Sequence, residues 1–201
     1  MTNQPRGPSM KYNIARVCQC DDTSCASANY TMVANALGFG LSLADILKVT
    51  GGTLGMARFW REMLSHGVRI KCISKNNYAG KIKPKWVADF FAERGAGAES
   101  FSDILKNPNF DFERRAPTKT DLQKLFGAGY AVEIMGDGWL MYGDAPDAQL
   151  LHRVFITDIS GDKVYFHDPA ADGDANHKSK MSDIITALSV AGAEIVGYRT
   201  R

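Results

Sequence analysis

The 201-residue chain lacks any apolar run approaching the roughly 20 residues that a membrane-crossing helix requires, so no membrane span is expected. It also lacks a strong charge of either sign. Its 24 Lys and Arg are set against 22 Asp and Glu, for a formal net charge of +2. The basic residues are scattered, with no stripe interleaved with aromatics, which argues against nucleic acid or an anionic membrane surface as a partner. Cysteine is scarce: four in the whole chain are too few for a disulfide scaffold, and free thiols are expected. Neither repeats nor low-complexity tracts occur. The opening "MTNQPRGPSM" has no apolar core of a secretory signal and is rich in Pro, Gly and polar residues, so residues 1–10 read as a disordered tail. The expected location is the cytoplasm, or outside it by export without a cleavable signal.

What remains is ordinary globular composition, 45% hydrophobic and 23% charged, enough to bury the core of one domain over 11–201. Residues 11–106 are mostly helical in pattern. Thr23 or Ser24 can cap a helix in which Ala28, Met32 and Ala36 share a face. "LADILKV" follows Ser42 and stops at Gly51-Gly52; "MARFWREMLSHG" places Phe59, Met63 and Leu64 on a core face. "VRIKCIS" alternates as a strand with Val68, Ile70 and Cys72 inward, and "PKWVADFFAERG" makes a further helix with Pro84 in its first turn. Residues 107–117 read as a connecting loop. From 118 onward one helix, "KTDLQKLFGAG", precedes strand-like segments: "YAVEIM", "WLMY", "HRVFITDI", "KVYFHD" and "EIVGYRT", with a helix "SDIITALSVAG" that Ser182 can cap. The fold class implied is α+β, a helical lobe against an antiparallel sheet. Oligomeric state is not legible.

Three of the four cysteines fall in "CQCDDTSC", Cys18 to Cys25. A metal clip fits poorly, because the spacing differs from paired C-x₂₋₄-C ligands and no nearby histidine completes it. A redox role is closer: Cys18 and Cys20 flank Gln19, and either could form a disulfide with Cys25, although packing beneath the loop is the plainer role. A nucleophile is the third reading. Cys25 falls where a helix begins, and unpaired N–H groups there lower a thiol's pKa. Such a thiol needs a histidine to carry the proton and a carboxylate to orient that histidine. "SGDK" signals a tight hairpin turn, which brings His152, at the start of one strand, and Asp168, at the end of the next, to one rim of the sheet. Gln19 is placed to donate to an oxyanion. His66 reads as a helix C-terminal residue, and His167 and His177 as surface residues, with His167, which adjoins the proposed carboxylate, as an alternative base.

"Q-C-D-D-T-S-C-A-S-A" before a helix, followed about 125 residues later by "H-R-V-F-I-T-D-I-S-G-D-K-V-Y-F-H-D-P", resembles the papain-like cysteine peptidases, and most of all the C39 and C39-like group. The likeness runs from about Tyr12 to Pro169. It implies a papain-like fold with Gln19 as oxyanion donor, Cys25 as nucleophile, His152 as general base and acid, and Asp168 as the orienting carboxylate. It implies a protein or peptide substrate, thioester chemistry and no metal or cofactor. Side-chain deamidation or transamidation, and a silent peptide-binding domain, use the same scaffold. The family usually has glycine after the cysteine; Ala26 stands here. "LSLADILKVTGG" is in turn similar to the double-glycine leaders that C39 peptidases cut, but Ser42 as cap and Gly51-Gly52 as stop read more simply as a folded helix.

Overall fold

The computed structural model describes residues 11–19, 25–51, 55–79, 85–93, 100–144, 151–170 and 172–200, apart from the side chains of Phe90 and Phe91. The expectations for residues 1–10, for Thr23 or Ser24 as a cap, and for Cys20, Gly52 and Pro84 fall outside these. Seven α-helices are described: α1 Cys25–Ala36, α2 Leu43–Thr50, α3 Met56–Ser65, α4 Lys85–Glu93, α5 Lys119–Gly127, α6 Gly138–Tyr142 and α7 Met181–Ala187. The strands are β1 Arg69–Ser74, β2 Phe110–Arg114, β3 Ala131–Asp137, β4 Leu151–Ser160, β5 Lys163–His167, β6 His177–Lys180 and β7 Glu194–Arg199. Among the described residues no helix is long and apolar enough to cross a membrane.

The strands form one sheet in the order β2-β1-β7-β3-β4-β5-β6. The class is α+β, as expected, but the sheet is mixed rather than wholly antiparallel. β2 runs parallel to β1, with Ile70 opposite Phe110 and Ser74 opposite Arg114, and all other pairs are antiparallel. β2 lies within the stretch 107–117 that reads as a loop; its "FDFER" has little apolar content and becomes a strand by pairing with a partner about 40 residues away. Apolar side chains cover both faces of the sheet. Alternation along β4 sends Leu151 and Phe155 into the core under α1, α2 and α3, and Val154 and Ile156 into the core under α5, α6 and α7.

Local signals account for several boundaries. Ser42 and Asp45 close a reciprocal capping box at the start of α2, and Gly51, at φ 72°, ends it in the left-handed conformation. The leader-like "LSLADILKVTGG" is therefore a folded, capped helix up to Gly51. Thr118 and Asp121 repeat the box at α5. "WLMY" is not a strand: Asp137 accepts a hydrogen bond from the Leu140 N–H and Gly143 closes the turn, giving the short helix α6. Nor does Ser182 cap α7. The helix starts one residue earlier after Lys180, and the Ser182 hydroxyl donates to Asp183 instead.

α1 is not amphipathic. Every residue from Ala26 to Ala34 is buried, so this helix runs through the molecule between the sheet and α2 and α3. Buried polar groups on such a helix need partners. Asn29 Nδ2 and Thr31 Oγ1 find them in backbone carbonyls. Ala26 is fully buried in this core.

Candidate functional site

β5 is shorter than β4. The ladder between them begins at Ser160 opposite Lys163, on either side of the turn at Gly161 and Asp162, and stops at Phe155 opposite His167. The first residues of β4, Leu151 to Val154, are thus paired with β3 on one side and free of β5 on the other. In an antiparallel strand the N–H and C=O of one residue point the same way, and two residues on they point that way again. Arg153 therefore directs both groups into the gap beyond the end of β5, and the first turn of α1 fills that gap. The Arg153 N–H donates to the Cys25 sulfur, and the Arg153 carbonyl accepts from Asn29 Nδ2 at 2.6 Å. Asn29 Nδ2 also donates to the Cys25 carbonyl at 2.9 Å. One side chain clamps the start of the helix to the start of the strand.

His152 is the neighbour of Arg153 and sits directly opposite Gly136 on β3. Its Nε2 lies 2.8 Å from Asp168 Oδ1 at the end of β5, and the ring also hydrogen-bonds Cys25. Since Nε2 is taken by the carboxylate, Nδ1 is the nitrogen left for sulfur. His152 and Asp168 side chains are 14% and 3% exposed, so their bond is shielded from water, while Cys25 is half-buried. Asp168 has two further donors, the Tyr142 hydroxyl at 2.7 Å to Oδ2 and the Ala170 N–H at 2.7 Å to Oδ1. Gly173 packs so closely that a Cβ there would lie 2.8 Å from Asp168 Oδ1. Glycine is needed at that point for room.

The protonation states follow. Burial pushes the Cys25 thiol up, but the hydrogen bond and charge of His152, the charge of Arg153 and the Arg153 N–H outweigh it, and the pKa falls. Burial pushes His152 down; the bonds and charges of Asp168 and Cys25 prevail and carry it to about 10. Asp168 is opposed by its own burial, yet His152, Tyr142 and the Ala170 N–H hold it below the usual carboxylate range. The three groups together favour a thiolate beside an imidazolium beside a carboxylate. Cys72 makes the contrast: burial and the nearby Glu194 push its thiol well up, which suits a core residue.

Gln19 is the last described residue of the stretch 11–19. Its N–H donates to the Pro169 carbonyl at 2.7 Å, one residue past Asp168, so the chain reaches the rim that carries the His152–Asp168 pair. Its side-chain Oε1 is buried without a hydrogen-bond partner among the described residues. Cys18, one residue earlier, is exposed. The histidines outside the site divide. His66 closes α3 and contacts Glu62 at 3.1 Å, as expected. His167 is not a surface residue. His167 is buried, contacting the Ile14 carbonyl at 3.0 Å. His177 is half-buried against Tyr142 and Phe166 and pairs with Asp174 at 3.0 Å.

The structure thus brings together Cys25, His152 and Asp168, with Gln19 tied at the same rim. Sequence reading missed Asn29, Tyr142 and the main chain of Arg153. Tyr142 lies in a segment read as a strand, and the roles of the other two depend on where β5 ends, which no local pattern gives. No family model matches the chain, and no curated protein matches it at a significant level.

Proposed function

We propose that the protein is a cysteine-dependent acyl-transfer hydrolase of papain-like fold, cleaving peptide or isopeptide bonds through a thioester. The observation that carries this reading is the unbroken line of contacts from Cys25 through His152 to Asp168, with pKa directions that favour a thiolate and an imidazolium. In this mechanism the Cys25 sulfur attacks the substrate carbonyl carbon. Negative charge gathers on the carbonyl oxygen, where the Cys25 N–H and the Gln19 side-chain amide are the candidate donors. The tetrahedral intermediate collapses as His152 gives its proton to the departing amine, leaving a thioester on Cys25. His152, now neutral, takes a proton from water; the hydroxide adds to the thioester carbonyl, and the acid leaves with return of the thiolate. Asp168 keeps the imidazole ring in one orientation throughout and stabilises its charged form. The cycle needs no electron acceptor or metal.

Thiol reactivity tests the reading before any substrate is known. Iodoacetamide at pH 6, with peptide mass mapping, is expected to label Cys25 about tenfold or more faster than Cys18, Cys20 or Cys72, because at that pH a thiol with a lowered pKa holds far more thiolate than an ordinary one. His152→Ala removes the advantage, because the thiolate loses its cation. Asp168→Ala weakens it less. Equal labelling of all four cysteines would sink the nucleophile assignment and leave a peptide-binding domain as the better reading.

A further inference from the structure

Three successive links tie the segment 11–19 to the end of β5. Ile14 offers its carbonyl to His167, Arg16 donates from Nε to the Asp168 carbonyl at 2.5 Å and from Nη2 to the Ala170 carbonyl, and the Gln19 N–H reaches the Pro169 carbonyl. At its first described residues the segment is held elsewhere: Lys11 donates to the Phe126 carbonyl, and Tyr12 packs edge-on against Phe126 and Phe155. His167 is the one side chain of β5 in this set, and it has a second bond. Its Nδ1 accepts from the Asn176 N–H at 3.1 Å, on the far side of the loop that follows Asp168. Asn176 adopts φ 57°, a conformation that non-glycine residues seldom take.

These two contacts fix the state of the ring. A carbonyl oxygen can only accept, so Nε2 carries a hydrogen; a backbone N–H can only donate, so Nδ1 carries none. We propose that His167 is a positioning residue whose neutral Nε2–H form joins the segment bearing Gln19 to the loop bearing Asp168, and that protonation of its ring breaks the join. A proton on Nδ1 would face the Asn176 N–H, donor against donor, in a buried place. The functional weight of this join rests on reading Gln19 and Asp168 as site residues; the join itself does not.

The surroundings agree. Burial pushes His167 below the ordinary histidine range, its bond to Ile14 partly opposing that, and the charge of Arg16 adds to the lowering. Arg16 faces it from the segment and Asp168 is the next residue. Asp174 and His177 lie in and after the loop, paired with each other. β4 contributes Phe155 opposite, which is uncharged. A histidine whose folded-state pKa lies below its unfolded value adds stability that is fully present above the unfolded value, near 6.5, and is lost as pH falls toward the folded one. The join therefore loosens in acid.

Hydrogen exchange on the full chain tests this without any substrate. Between pH 7.5 and pH 5, after correction for intrinsic rates, protection of the Gln19 and Asn176 amides is expected to fall about tenfold, as the protonated ring opposes its bond to the Asn176 N–H. Amides of β3, such as Ile134, should hold theirs. In His167→Gln, which keeps a polar side chain but cannot titrate, the pH dependence disappears. Nitrogen NMR of the His167 ring gives a second reading on the unaltered protein and is expected to show the Nε2–H form at pH 7.5. Protection that is flat from pH 7.5 to 5, a fall that persists in His167→Gln, or an Nδ1–H or charged ring at pH 7.5 would each overturn the proposal. Rapid alkylation of Cys25 would survive any of these results, and its absence would leave them intact, so the two readings fail separately.

Discussion

Asn29 shows how much of the site depends on one side chain away from the reacting atoms. By donating to the carbonyls of both Cys25 and Arg153 it sets the height of the helix start against β4, and so the reach from sulfur to imidazole. Asn29→Ala is expected to cost about 1–3 kcal/mol in urea denaturation, because the Arg153 carbonyl is left unpaired where water does not reach. It should also slow Cys25 alkylation at pH 6, an effect that a loss of stability alone would not give. Unchanged alkylation would show that the helix keeps its seat without the clamp. The pH profile of turnover is a second outcome at this scale. Thiolate is gained as pH rises through the lowered Cys25 pKa, and the imidazolium acid is lost as pH rises through about 10, so kcat/KM should trace a bell whose alkaline limb belongs to His152. His152, Cys25 and Asp168 were legible in the sequence because each stands beside a local marker: a strand start, a helix start and an Asp-Pro turn. Asn29 and His167 carry no such marker. Their partners lie 124 and 153 residues away.

At the scale of the element, α2, α3 and α5 formed where the pattern places them, α3 without a side-chain cap. α2 and α5 begin at Ser42 and Thr118 with complete capping boxes. α6 is five residues of mostly apolar sequence, a run whose periodicity does not separate helix from strand; the Asp137 cap and Gly143 decide it. That small helix matters because Tyr142, its last residue, reaches Asp168. β2 was illegible for another reason, since parallel pairing with β1 is set by the rest of the sheet. The two faces of the sheet can also be separated by experiment. α5 packs on β3 and β7 in the core opposite α1. Thr118→Ala removes the side-chain half of the box and should cost about 1 kcal/mol by urea denaturation, with Cys25 alkylation unaltered. A matching loss of thiol reactivity would mean that the site responds to stability in general rather than to its own contacts.

Across the whole molecule the sheet is crossed by a buried polar network that composition alone hides. Arg153 Nη1 lies 2.6 Å from Glu133 Oε1 and its Nη2 bonds Glu194 Oε1, joining β4, β3 and β7, and all three side chains are at most 1% exposed. Tyr198 donates to Glu133 at 2.7 Å and accepts from Trp60 at 2.8 Å, which brings in α3; Tyr78 donates to Glu194, which brings in the chain after β1. One cation thus serves two carboxylates. Burial pushes Glu133 up, with Arg153 and Tyr198 holding it back. Removing the cation alone should be severe: Arg153→Met leaves two carboxylates buried without a counter-charge, a loss of about 3–5 kcal/mol. The remedy follows from which atoms accept. Glu133→Gln and Glu194→Gln keep a carbonyl oxygen for each tyrosine while removing both charges, so the triple variant Arg153→Met/Glu133→Gln/Glu194→Gln should recover most of the loss in urea denaturation. Its backbone at position 153 still has the N–H and carbonyl that meet Cys25 and Asn29, so alkylation at pH 6 should return with the fold, slower than in the native protein by the share that the Arg153 charge contributes. A triple variant no more stable than Arg153→Met would show that the cost lies in lost packing around the guanidinium rather than in unpaired charge.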